Sequence, residues 1–139
     1  MTFIPEDDLD YLRRKELKFD VKTEQLPDGN KRNGIVFPEY ALDGNLRTQT
    51  PGGLVNCPTC SLLILIPVGY ATTKLDSFYT RPFLKRADGT NPNTATGEQL
   101  LFGEQWQFWS RHLQDNEWRV DVDGLETYLQ YVHAELRRA

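Results

Sequence analysis

Between Ser61 and Pro67 the chain runs Leu62, Leu63, Ile64, Leu65, Ile66 without one polar residue. An amphipathic helix would interrupt such a run every third or fourth position, and a half-exposed strand every second. A bilayer span would need about 20 apolar residues. The run therefore predicts a strand covered on both faces. Other elements must close over both sides of the sheet that holds it. A chain of 139 residues supplies about one such layered domain, so residues 1–139 are read as a single unit.

The covering elements are partly visible. Pro5 to Leu17 predicts a helix, with Pro5 in a first turn that does not need its N–H. Glu6, Asp7, Asp8 and Asp10 stand at its start and Arg13, Arg14 and Lys15 towards its end, matching the helix dipole. Leu9, Leu12 and Leu17 would form its apolar stripe. In Lys18 to Gln25, Phe19, Val21 and Thr23 alternate with charged residues, as in a half-buried strand. Pro27-Asp28-Gly29-Asn30 is a turn, and Arg32 to Phe37 is the strand that pairs back antiparallel. Asp43 to Cys60 reads as a long loop, Ser77 to Phe83 as a fourth strand, and Ala87 to Gly97 as another loop. Trp106 to Leu113 fits a helical turn or irregular structure. Val122, Leu125, Leu129, Val132 and Leu136 recur three and four apart, with Asp121 and Asp123 before them and Arg137 and Arg138 after. That pattern predicts a final amphipathic helix. The fold class expected is α+β: helix, four antiparallel strands, irregular stretch, helix.

Composition narrows the partners. Sixteen Lys and Arg stand against 20 Asp and Glu, a formal charge of −4. This argues against a nucleic acid or an anionic membrane as partner, since both recruit clustered cations. The acidic start, Met1 to Asp8, lacks the basic and apolar regions of a signal peptide, so a cytoplasmic location is expected.

Two groups of residues could carry chemistry. Cys57-Pro58-Thr59-Cys60 has CxxC spacing, which serves redox pairs and half of many zinc sites. A redox pair sits at a helix N-terminus, whereas an apolar strand follows Cys60 directly. Zinc needs about four ligands, and no second CxxC exists. No metal and no cofactor are expected, and packed free thiols are the plainer alternative. The other group is Trp106-Gln107-Phe108-Trp109-Ser110-Arg111-His112, with Trp118 beyond it. Ser110 and His112 stand two apart and would face one side of an extended segment, as a nucleophile and its base would. An orienting acid, Asp115 or Asp121, is not placed by the sequence. The tryptophans suit core packing as well as a groove, and His112 could equally be structural.

Leu62 to Pro67 with Gly69 and Tyr70, Leu84 with Asp88 and Gly89, the string Trp106 to Leu113, and Trp118-Arg119 with Asp121 to Leu125 carry a resemblance. Together with the order of elements, they resemble the prokaryotic ubiquitin-conjugating-enzyme-like (UBC superfamily) family E over about residues 60 to 136. The resemblance implies a UBC-like fold: an N-terminal helix, a four-stranded antiparallel meander, an irregular active-site-like stretch and a C-terminal helix. It implies work beside a ubiquitin-like protein, an activating-enzyme-like adenylating protein and a JAB-type peptidase, in bacterial systems associated with phage defence. Catalytic superfamily members take the modifier as a cysteine thioester a short way before a tryptophan. Here Ser110, not cysteine, stands eight positions before Trp118. Asn91-Pro92-Asn93 is the nearest match to the superfamily's His-Pro-Asn motif, and no proline follows Tyr70.

Two functions follow from the resemblance. One is a non-catalytic adaptor that binds the modifier or activating enzyme, with Trp109, Arg111, Trp106 and Trp118 in a recognition groove. The other is a divergent transferase with Ser110 as nucleophile and His112 as base, or with a cysteine brought in by loop folding. A redox or metal protein centred on Cys57 and Cys60 is a third.

Overall fold

The computed structural model describes residues 4–67, 70, 75, 77–92, 95, 97–110, 118–119 and 123–139. Helix α1 covers Glu6–Arg14, with Pro5 at its N-cap. It stops short of Leu17 because Glu16 takes a left-handed φ of 55°. The Leu17 N–H then returns to the Leu12 carbonyl and the Glu16 N–H to that of Arg13, closing the helix end. Leu9 and Leu12 are buried, and Leu17 packs on the same core.

Strands β1 (Asp20–Gln25) and β2 (Lys31–Ala41) form the expected hairpin, in register from Asp20 opposite Val36 to Gln25 opposite Lys31. Its turn uses Gly29 at φ 89°, and Asp28 accepts a hydrogen bond from the Asn30 N–H. β2 runs past Phe37 through a bulge that accommodates Pro38, where a regular ladder would miss its N–H. Asp43 to Cys60 is not a plain loop. It contains β3 (Leu46–Thr50) and β4 (Gly53–Asn56), a hairpin turned at Pro51 and Gly52.

The apolar run is β5 (Thr59–Ile66). It lies between β2 and β6 (Phe78–Arg81), and its Leu62, Leu63 and Ile64 are fully buried. The remaining strands are β7 (Leu84–Arg86), β8 (Gly97–Leu101) and β9 (Glu104–Trp109). Helix α2 (Leu125–Arg138) ends the chain and buries Leu125, Leu129, Val132 and Leu136, the predicted stripe, along with Tyr128. Val122 lies outside the described residues.

The main sheet has the order β1-β2-β5-β6-β9-β8, antiparallel throughout, and a smaller sheet has the order β4-β3-β7. The four segments read as strands from the sequence, β1, β2, β5 and β6, stand side by side. The four-strand expectation falls short by the β8–β9 hairpin, whose two-residue turn has Phe102 at φ 52° and Gly103 at φ 80°. Trp106 to Trp109 is thus strand, not helical turn or irregular segment. Both faces of β5 are covered as its sequence requires. Leu62, Ile64 and Ile66 join the helices in the larger core, while Leu63 joins Val36, Tyr79, Leu101 and Trp106 on the other side. No helix among the described residues is long and apolar enough to cross a membrane.

The two helices meet through a buried carboxylate. Asp8 is 8% exposed, accepts the Tyr70 hydroxyl proton at 2.6 Å and accepts the Leu125 N–H at 3.3 Å. Leu125 opens α2, so a first-turn donor of one helix is satisfied by a side chain of the other. Gly124 is required beside it, since a Cβ there would lie 2.6 Å from the Asp8 carboxylate. Burial raises the Asp8 pKa above the ordinary carboxylate value, and the bonds from Tyr70 and Leu125 pull it partly back.

A carboxyl whose pKa is raised by folding holds its proton more tightly in the folded chain. Its stabilising contribution is full below the unfolded value of about 3.9 and is lost as pH rises through the folded value. Urea unfolding should therefore show the wild type losing stability relative to Asp8→Asn as pH rises from about 4 to neutrality. Asp8→Ala orphans the Leu125 N–H and should cost about 1–3 kcal/mol at either pH. Equal stability of Asp8→Ala and wild type would refute the contact.

Candidate functional site

The residues singled out from the sequence converge on β9 and the segment after it. Alternation along β9 divides its side chains between the two cores. Trp106 and Phe108 join the smaller cluster, whereas Trp109 joins the larger one beneath the helices. Trp109 is fully buried, stacks on Phe78 at 5.4 Å between ring centroids, and donates from Nε1 to the Thr80 hydroxyl at 2.9 Å. Trp106 is 3% exposed, donates from Nε1 to the Leu101 carbonyl, and lies under the Arg81 guanidinium. Arg81 is also paired with Glu104. Both indoles are packing groups, one in each core.

Gln107, between them, is 1% exposed and uses both ends of its amide. Oε1 accepts the Leu84 N–H at 2.7 Å and the Thr80 hydroxyl at 3.0 Å. Nε2 donates to the carbonyls of Leu84 and Ala95, at 3.0 and 2.9 Å. The side chain therefore pairs with Leu84 much as a neighbouring strand would. It also fixes the loop after β7, where the Ala95 N–H bonds the Pro92 carbonyl. Asn91 in that loop accepts from Lys85 and, through its carbonyl, from Arg86. Asn93 lies outside the described residues. The sequence offered no signal for Gln107: a glutamine between aromatic residues becomes legible only once its strand lies against Leu84.

Ser110 follows β9 directly and is half-buried. Arg111 and His112 lie outside the described residues. Trp118 is 7% exposed, with its ring 6.3 Å from that of Tyr70. With Arg119, Asp123, Thr127, Tyr128 and Tyr131 it lines a cleft of about 380 Å³ beside the first turn of α2. Asp123 closes that turn region by accepting the Arg119 backbone N–H at 2.7 Å and its guanidinium at 2.9 Å. Those bonds hold the Asp123 carboxyl below its ordinary pKa.

The cysteines are elsewhere. Cys57 and Cys60 are free thiols, 4% and 3% exposed, and Cys57 Sγ donates to the Thr59 carbonyl. Ile64, Phe78 and Trp109 form one rung across the sheet. Cys60 stands four residues from Ile64 along β5, hence about 13 Å down the strand from that rung. Burial pushes the Cys57 thiol up, and burial with Cys57 nearby pushes Cys60 up to about 12. Among the described residues, no three of His, Cys, Asp and Glu gather as metal ligands would.

Two outcomes follow from this geometry. The folded protein should react with a thiol reagent at pH 8 at least about a hundredfold more slowly than the unfolded chain, because the thiolate is the reactive form. Rapid native labelling of either cysteine would contradict their placement. Gln107→Leu leaves the buried Leu84 N–H without its acceptor and should cost about 2 kcal/mol or more in urea unfolding. A neutral Gln107→Leu would show that the amide joins nothing of consequence.

Comparison with known proteins gives one match. The model of the family described as Prokaryotic E2 family E aligns with residues 4–139. No curated protein and no solved structure matches the chain. The alignment takes in both helices and all nine strands of the described residues and the segment that carries Ser110, and the chain belongs to prokaryotic E2 family E.

Proposed function

We propose that this protein is the E2-like component of a bacterial ubiquitin-like conjugation system and serves there as an adaptor that forms no cysteine thioester. It binds the ubiquitin-like modifier or its activating-enzyme-like adenylating protein. A JAB-type peptidase and a role in phage defence belong to the same proposal. The observation that carries it is the burial of both thiols at the far end of β5. With a pKa of about 12, only on the order of one Cys60 thiol in 10⁵ is ionised at pH 7. Such a thiol is a poor acceptor for an activated acyl group. Trp118, lining the cleft beside α2, and Arg111 are the side chains this reading assigns to recognition. Trp106 and Trp109 hold β9 in place.

A second reading rests on Ser110. It is the first residue past the β9 ladder, half-buried, and eight positions before Trp118. In that reading the Ser110 hydroxyl attacks the adenylated C-terminus of the modifier, His112 takes its proton, the acyl–phosphate bond breaks with AMP leaving, and an oxyester forms.

Incubation with the cognate modifier, activating enzyme and ATP, followed by a non-reducing gel, separates the two. The adaptor predicts no adduct, modifier or activating-enzyme binding unaffected by Ser110→Ala, and binding weakened about tenfold or more by Trp118→Ala or Arg111→Ala. A reductant-sensitive adduct would overturn the adaptor in favour of cysteine. A reductant-resistant, hydroxide-labile adduct abolished equally by Ser110→Ala and His112→Ala would establish the second reading, since nucleophile and base act as a unit.

A further inference from the structure

The small sheet is a basic island on an acidic protein. Its strands read Leu46-Arg-Thr-Gln-Thr50, Gly53-Leu-Val-Asn56 and Leu84-Lys-Arg86, three cations and no carboxylate, in a chain with four more acidic than basic residues. The register places Arg47 directly opposite Lys85 on β7 and opposite Asn56 on β4, and Gln49 opposite Leu54. Residues opposed in an antiparallel ladder share a face. Arg47, Gln49, Leu54, Asn56 and Lys85 therefore form one surface, while Leu46 and Leu84 point to the core.

Two features mark this surface as unfinished. Like charges directly opposite each other across a ladder are destabilising. Yet Arg47 bonds only neutral oxygens, those of Gly44, Leu46 and Asn56, and Lys85 bonds the Asn91 amide oxygen. Neither forms an ion pair with a described residue. Asp88, in the turn after β7, accepts hydrogen bonds from the Thr90 N–H and hydroxyl. Leu54 is also one of the four large apolar residues left exposed among the described residues, at 37%. Leu54 lies one strand across and two residues along from Arg47, about 8 Å away.

We infer that this face is a docking surface for an extended acidic segment of a protein partner. The segment carries an aspartate or glutamate two residues from an apolar side chain. Its carboxylate sits between Arg47 and Lys85, relieving their repulsion, and its apolar residue covers Leu54. The two subsites lie about 10 Å apart, and an extended strand spaces side chains two apart by about 7 Å, the length of the glutamate side chain spanning the rest. A nucleic acid fits worse, because two cations neutralise too few phosphates to offset repulsion from a chain of charge −4.

The test needs neither modifier nor activating enzyme, so its outcome is independent of the function proposed above. The ¹⁵N-labelled full chain is titrated with the peptide acetyl-Gly-Glu-Thr-Leu-Thr-Glu-Gly-amide and with the same peptide carrying lysine for glutamate. Amide shifts centred on Arg47, Leu54 and Lys85, saturating by about millimolar peptide, are expected from the acidic peptide alone. Binding should weaken at least about fivefold when salt rises from about 50 to about 300 mM. It should weaken about tenfold in the Arg47→Gln/Lys85→Gln double variant, whose unchanged spectrum elsewhere reports an intact fold. Absence of shifts, shifts centred elsewhere, equal binding of the lysine peptide, or equal perturbation by an oligothymidine would each overturn the inference.

Discussion

The side-chain amide of Gln107 is the seam between the two sheets. β9 belongs to the six-stranded sheet and β7 to the three-stranded one, and Gln107 pairs both backbone groups of Leu84 across the gap. From the same amide, bonds run to Thr80 on β6 and to the Ala95 carbonyl, and the Thr80 hydroxyl in turn accepts from Trp109. A buried network of this kind stabilises only when every member is satisfied. In Gln107 both acceptor positions and both N–H groups are used. The register of β9 is thereby fixed from its side as well as from its ladder, which sets where Ser110 leaves the sheet.

The other organising constraint is that the central strand has no exposed face. One side lies under α1 and α2, joined through Asp8. The other side is closed by the sheet itself, as the β8–β9 hairpin brings Phe102 over Gly34 on β2. A Cβ on Gly34 would lie 3.0 Å from Leu63 and 3.1 Å from Phe102. Glycine at this one position of β2 lets the hairpin tip approach, so Phe102 packs on the smaller cluster of Val36, Leu63, Tyr79, Leu101 and Trp106.

What could be read from the sequence follows burial. The apolar run and the α2 stripe were legible because their patterns record which faces meet the core. The first hairpin was legible by its turn, while β1 is exposed at Val21 and Thr23 and not half-buried as its alternation suggested. β3, β4 and β8 were not legible, because their side chains are mostly polar or exposed and their pairing is supplied by neighbours distant in the chain. β9 was ambiguous for the opposite reason: it buries side chains on both faces, so no alternation survives. The CxxC was legible as a motif, and the strand that follows Cys60 pointed away from redox chemistry; the fold shows why, with both sulfurs in the core. Of the candidate site, spacing from Trp118 points to Ser110. The work of Gln107 and Asp8 was not legible, since each acts on backbone groups of an element far away in sequence.

The division of side chains along β9 also bears on what the site can be. A strand that commits Trp106 to one core and Gln107 and Trp109 to the other has no side chain of these to offer a partner. Ser110 follows the end of that ladder, and Trp118 lines the cleft at the first turn of α2. The rigid part of the motif and its chemically useful part are thus adjacent but distinct. Tryptophan and glutamine supply a fixed strand end, and the serine that follows them is held wherever that end points. A fixed end favours either reading of the site, because an adaptor and a nucleophile both lose affinity or rate when the group they present is poorly positioned. What separates them is nucleophilicity. Cys60 lies about 13 Å along β5 from the Trp109 rung and Cys57 precedes that strand, so a hydroxyl at Ser110 would need a base beside it to do the work that a thiolate does unaided.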